Sequence, residues 1–303
     1  MTSIKSVADR IDWLGSLKFL SVHVACLMCI WTGVSWIAVA VALLLYWVRM
    51  FGITAGFHRY FSHRAYKTSR AFQFFLATLG TSAAQMGPLW WAAHHRHHHR
   101  TSDQEGDIHS PITRSLFWAH AGWILSNRYT QTHYERIPDF AKYPELVFLN
   151  RYHWLVPMTL AVALFVLGEA LDSWFPTLRT SGFQLVGWGF FVSTLVLYHG
   201  TFTINSLAHR IGRRRFQTTD SSKNSFLLSL ITLGEGWHNN HHRFPHVEKQ
   251  GLFWWEIDIT HYVLKVLSWF RIVWEMKRND LSEVRAMLRE SEASKAAVSS
   301  SRA

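Results

Sequence analysis

Charged residues vanish from three stretches of this chain and crowd into the rest. Phe19 to Val48 holds no Asp, Glu, Lys or Arg, and neither does Trp154 to Gly168. From Pro176 to Ile211 only Arg179, His199, His209 and Arg210 can carry charge. A helix crossing the hydrocarbon core needs about 20 apolar residues. The first stretch is longer than one crossing and shorter than two. Thr32, Gly33 and Ser35 interrupt it, and the apolar pattern resumes beyond Arg49 to about residue 57. A hairpin of two spans is expected, at about 16–32 and 34–56; a single long tilted helix is the alternative, and periodicity does not separate them. Two further spans are expected at about 154–172 and 184–206. Glu169, Asp172 and Arg179 mark the connection between them, with Pro176 and Gly182 as breakers.

Between the second and third spans the chain is rich in charge, His and Trp. Residues 71–93 are apolar but broken by Gly80, Gly87 and Pro88, and Trp90-Trp91 suits a membrane–water interface. A helix lying on the membrane is expected there. Arg59, Arg64, Lys67, Arg70, Arg96 and Arg100 lie in this region, and Arg210 with Arg213-Arg214-Arg215 follows the last span. The positive-inside rule places these loops and both termini in the cytoplasm, which requires an even number of spans. The fold expected is all-α and integral to the membrane: four transmembrane helices in two hairpins beneath a cytoplasmic helical cap. One domain is expected over 1–279, followed by a polar tail at 280–303.

Composition changes this picture in two ways. The net charge of +11 over 303 residues flanks apolar runs, which suits anionic head groups and argues against nucleic acid. Cys26 and Cys29, the two cysteines, sit inside the first apolar run, so no disulfide framework is available; they are expected to be small packing residues. Of 19 histidines, most fall in clusters: HRYFSH at 58–63, HHRHHH at 94–99 and HNNHH at 238–242, with His209 ending NSLAH. Positions i, i+3 and i+4 share a helix face, so His95/His98/His99 and His238/His241/His242 are each expected to present three imidazoles to one point. The i, i+5 pair His58/His63 diverges on a regular helix and is weak alone. Imidazole binds iron, zinc, copper and nickel, and eight histidines exceed what one ion coordinates, so two metals are expected. His23, His120, His133, His153 and His261 are expected to be structural or interfacial. His199, inside a span, is a functional candidate or a hydrogen-bond donor to a carbonyl.

The set HRYFSH, HHRHHH, NSLAH and GEGWHNNHHRFP resembles the membrane fatty-acid desaturases of the stearoyl-CoA type, in order and spacing from the first span to about Trp255. The resemblance implies two irons held by His58, His63, His95, His98, His99, His209, His238, His241 and His242, with Asn205 holding a water on one of them. His94 and His97 fall outside that ligand pattern and are expected to lie around it, orienting the ligands. Gln85 and Trp237 are expected to line a tunnel for the acyl chain. The implied activity is O2-dependent desaturation of the Δ9 type, an oxidoreductase reaction that reduces O2 to water. The alternatives are a hydroxylase of the same superfamily and a non-enzymatic membrane metal-binding protein. Met86 and Ala93-His94 stand where the animal enzymes place an Asn and an Arg-Asp pair near CoA, so the carrier is either CoA or a membrane phospholipid. Electrons are expected from a separate ferredoxin-type or cytochrome partner, and the bacterial inner membrane is the expected location.

Overall fold

The computed structural model describes residues 11–289. In chain order the main helices are α1 (Leu17–Thr32), α2 (Trp36–Ser62), α3 (Arg70–Thr81), α4 (Pro88–Thr101), α5 (Leu155–Trp174), α6 (Gly182–His209), α7 (His238–Arg243) and α8 (Ile259–Trp269). Of these, α2, α5 and α6 are long and apolar enough to cross a membrane, whereas α1 is shorter and carries a turn at 26–27. A two-residue antiparallel ribbon pairs Lys67 with Trp274 and Thr68 with Val273.

The first apolar stretch is a hairpin. Gly33 takes φ +72°, a left-handed conformation that a residue without Cβ adopts freely, and Ser35 caps α2 by accepting from the Ala38 amide at 3.1 Å. Val22 of α1 packs on Tyr198 and Phe202 late in α6, while Gln184 at its start donates to the Thr32 carbonyl at 2.8 Å. In α2, Ala38 packs on Leu185 and the Tyr46 hydroxyl lies beside Gly200. So α1 runs antiparallel to α6 and α2 runs parallel to it. A single long helix is ruled out by that reversal. Cys26 donates from Sγ to the Val22 carbonyl and Cys29 packs on Gly187, both as small fillers.

The last part of α2, Gly52–Ser62, is a π-helix, with i→i+5 hydrogen bonding continued by the His63 amide to the His58 carbonyl at 3.2 Å. Small residues let α3 lie directly against this segment: a Cβ on Gly52 would stand 2.7 Å from the Gly80 nitrogen.

Three expectations change here. Residues 71–93 do not form one surface helix; α3 and α4 are separated at 82–87, where Ala84 and Met86 take positive φ and Pro88 begins α4. Trp90 is buried, not interfacial, and its indole donates to the Tyr129 carbonyl at 2.7 Å. Arg59 is no head-group cation: it is 1% exposed and ion-paired to Glu235 at 3.1 Å and Asp258 at 2.9 Å. Arg96 likewise turns inward to Asp139 at 2.8 Å. The polar tail opens with a packed turn, since Val284 in a helix at 281–289 joins Phe216 and Leu252 in a small core. Both termini lie outside the described residues.

Candidate metal centre

All nine candidate ligands converge, but in two groups. His58, His63, His95, His99 and His241 form one, and His98, His209, His238 and His242 form the other; within each, one ligand nitrogen per ring lies within 4.8 Å of all the rest. The π-helix explains the pair that a regular helix would splay. Its wider turn returns i+5 to the face of i, and the His58 and His63 rings stand 4.8 Å apart.

The expectation of three imidazoles aimed at one point per HxxHH motif is corrected. On α4, His95 and His99 point into the first group and His98 into the second. On α7, His238 and His242 point into the second and His241 into the first. Positions i+3 and i+4 differ by about 100° around a helix axis. That angle lets each helix lie between the two groups, with its i, i+4 pair joining one and its i+3 residue the other.

Carboxylates surround the imidazoles. Asp107 accepts from His98 Nδ1 at 2.9 Å, Asp103 from His209 Nδ1 at 2.9 Å, and Asp220 from His242 Nδ1 at 2.6 Å. Glu235 stands 2.5 Å from His58 Nδ1. Burial alone would raise these acids, but the neighbouring imidazoles, joined at Glu235 by Arg59, hold all four below the usual carboxylate range. Asp103 is itself fixed by the hydroxyls of Ser110 and Ser221. Each carboxylate keeps the ring hydrogen on Nδ1 and turns the Nε2 lone pair inward.

This arrangement fits a bound cation. His58 Nε2 and His99 Nε2 both face His241 Nε2, at 3.0 and 2.9 Å. His63 faces His95 at 2.9 Å and His209 faces His238 at 3.1 Å, again Nε2 to Nε2. One ring hydrogen cannot serve several facing lone pairs, and the buried His242 Nε2 has no partner at all. Burial, reinforced by neighbouring imidazoles, keeps His63, His95, His99, His238 and His241 well below the ordinary histidine range. Burial likewise lowers His242 to about 4, against the opposing bond from Asp220. Neutral imidazoles are the form that ligates.

The remaining candidates fall elsewhere. His94 Nδ1 bonds the Trp90 carbonyl at 2.8 Å, with its ring against Trp90 and Trp123. His97 Nε2 bonds the Gly106 carbonyl at 3.1 Å. Neither contact reaches a candidate ligand, and the four carboxylates orient four of the nine, His98, His209, His242 and His58. Asn205 lies on α6 one turn before His209. Gln85 donates to Thr201 on α6 at 3.1 Å, and Trp237 caps α7 with its indole on the Ile257 carbonyl at 2.8 Å. Trp91 stacks on His95, centroids 4.9 Å apart.

Sequence reasoning missed the carboxylates, although Asp107 closely follows the HHRHHH run and Glu235 lies three residues before His238. Asp220 carries no such mark. His109 was missed too; its ring lies tilted against His98, centroids 4.3 Å apart, and forms a third cluster with His98 and Asp107. Nor is His199 bonded to a carbonyl. Its Nε2 lies 3.3 Å from His23 Nε2 and its Nδ1 2.9 Å from His120 Nε2, so three nominally lone histidines form a chain.

The model for the family described as fatty acid desaturase matches residues 34–268. The sn-1 stearoyl-lipid 9-desaturase of Anabaena variabilis is 35% identical, over 92% of this chain and 99% of that protein. The sn-2 palmitoyl-lipid 9-desaturase of Nostoc sp. (strain 36) is 34% identical, over 86% and 88% respectively. The acyl-CoA C20 Delta5-desaturase of Anemone leveillei is 34% identical, over 90% and 87%. On a match spanning most of its length, joined to imidazoles gathered at the rim of an apolar bundle, this chain belongs to the fatty acid desaturase family.

Proposed function

We propose that this desaturase inserts a cis double bond of the Δ9 type into a saturated acyl chain carried on a membrane lipid, using two irons. The observation that carries the reading is the sorting of nine imidazoles into groups of five and four, nitrogen facing nitrogen, with carboxylates behind four of them. His58, His63, His95, His99 and His241 would hold one iron. His98, His209, His238 and His242 would hold the other, with Asn205 positioning a water. When bound, the irons supply O2 activation for an unactivated methylene pair, chemistry that no acid–base residue can provide. The protein's own groups hold the ligands in one tautomer, exclude water around His95 with Trp91, and guide the chain past Gln85 and Trp237.

A lipid carrier is supported by two relatives named as stearoyl-lipid and palmitoyl-lipid 9-desaturases, and by Met86 and Ala93-His94 standing where the animal enzymes that the sequence resembles place an Asn and an Arg-Asp pair near CoA. The reading includes four spans, α1 and α2 forming the first hairpin, under a cytoplasmic cap in a bacterial inner membrane. It also includes a separate ferredoxin-type or cytochrome electron donor.

Expression in a host unable to make unsaturated fatty acids tests it. A new monoene esterified in phospholipid, located at Δ9 by mass spectrometry and lost with His95→Ala, is the expected result. A hydroxylated chain would reassign the activity, and a monoene formed first on CoA would reassign the carrier. Zinc in place of iron in the purified protein would overturn the metal assignment.

A further inference from the structure

A cavity of about 630 Å³ reaches inward from the cap to His63 and His99, both in the five-imidazole group. His246 stands exposed in its wall, its ring 6.3 Å from that of His63 and its Nδ1 3.3 Å from the His63 carbonyl. The walls are strongly cationic. Arg64, Lys67, Arg96, Arg100, Arg136 and Lys277 line them against one carboxylate, Glu275. Arg64 and Arg96 are paired with Asp139, Lys67 with Glu275 and Arg136 with Glu135, but Arg100 and Lys277 project into solvent. The ribbon joining Lys67–Thr68 to Val273–Trp274 fixes one side of this rim.

We infer that this basin is the docking surface for an acidic, one-electron carrier protein, which delivers electrons at the His63–His99 edge. The inference rests on the desaturase reading. Removing two hydrogens from –CH2–CH2– yields two electrons and two protons, while reducing O2 to two waters consumes four of each. Two electrons and two protons must therefore arrive from outside, as two single-electron deliveries from a reduced carrier that leaves oxidised. An acyl chain has no reason to enter a cavity walled by guanidinium and ammonium groups, whereas an acidic protein face does. Charge complementarity of this kind accelerates encounter by roughly 10–10³-fold and fades with salt. The basin also brings solvent to imidazoles that are otherwise enclosed, which shortens the path an electron must cover.

The test uses the iron-loaded full chain in lipid nanodiscs, with a reduced plant-type [2Fe–2S] ferredoxin as the acidic probe and dithionite as a small reductant. Lys67→Glu combined with Lys277→Glu is expected to raise the KM for ferredoxin about tenfold at low salt, with kcat changed less than twofold. Wild-type KM is expected to rise with ionic strength, while dithionite-driven turnover and iron content stay at wild-type levels in the variant. Identical ferredoxin KM and salt dependence in both proteins would overturn the docking surface and leave the desaturase standing. Should no reductant produce a monoene, the desaturase reading fails separately. Binding of oxidised ferredoxin to immobilised protein then decides the basin: weaker binding by the variant supports it, and equal or absent binding refutes it.

Discussion

Replacing Arg59 with Met should destabilise this protein more than any other single charge removal in the cap. The side chain is 1% exposed. It donates to both Asp258 oxygens at 2.9 and 3.1 Å, to Glu235 Oε1 at 3.1 Å and to the Glu248 carbonyl at 2.8 Å. At an effective dielectric of 20, each close ion pair is worth roughly 5 kcal/mol before desolvation is counted. Most of that offsets the cost of burying the charges, so the intact cluster adds little net stability. Removing one partner is different, because it strands buried carboxylates and typically costs about 3–5 kcal/mol. For a chain of this size that lowers the melting temperature by roughly 6–10 °C. Glu235 also contacts His58, so the loss should extend to the metal. Trp fluorescence melting in nanodiscs and iron content by mass spectrometry read the two effects, and Arg59→Lys should recover part of the melting loss through its retained charge. Should Arg59→Met melt within about 1 °C of wild type, the cluster is solvated and the burial argument is wrong.

Three further outcomes follow from the same geometry. Asp220→Asn weakens the acceptor that orients His242 and should lower iron affinity about 10–100-fold, measured by chelator competition. His94→Phe should retain iron while His95→Ala loses it, because His94 bonds only the Trp90 carbonyl through Nδ1; equal iron loss in both would place His94 at the metal. Gly52→Ala sets a Cβ 2.7 Å from the Gly80 nitrogen and Leu79 carbonyl carbon, and should cost about 1–3 kcal/mol in a denaturation midpoint.

Much of this fold was legible because lipid imposes a coarse rule. Apolar length alone located α2, α5 and α6, and Gly33 with Ser35 marked the turn between α1 and α2. The histidines were legible as candidate ligands because few other roles gather so many imidazoles. Their division was not, because it depends on how α4 and α7 are rotated between two centres, and hydrophobic periodicity is nearly silent in HHRHHH and HNNHH. The carboxylates were missed for a related reason: Asp103, Asp107 and Asp220 sit in irregular segments, and only folding brings them behind the rings. Arg59 misled because sequence shows a charge but not its partners, and Glu235 and Asp258 lie 176 and 199 residues away.

The π-helical end of α2 also sets what kind of change this segment can absorb. Substitutions there alter packing at one position. If the stretch kept its length but wound at ordinary helical pitch, His63 would sit about 140° around the axis from His58 instead of beside it. His63 would leave its place opposite His95, and Arg64 would no longer turn the chain toward the ribbon that walls the cationic basin. Two separate properties, closure of the five-imidazole group and the shape of the surface above it, thus hang on the pitch of one stretch, more than on which side chains it carries.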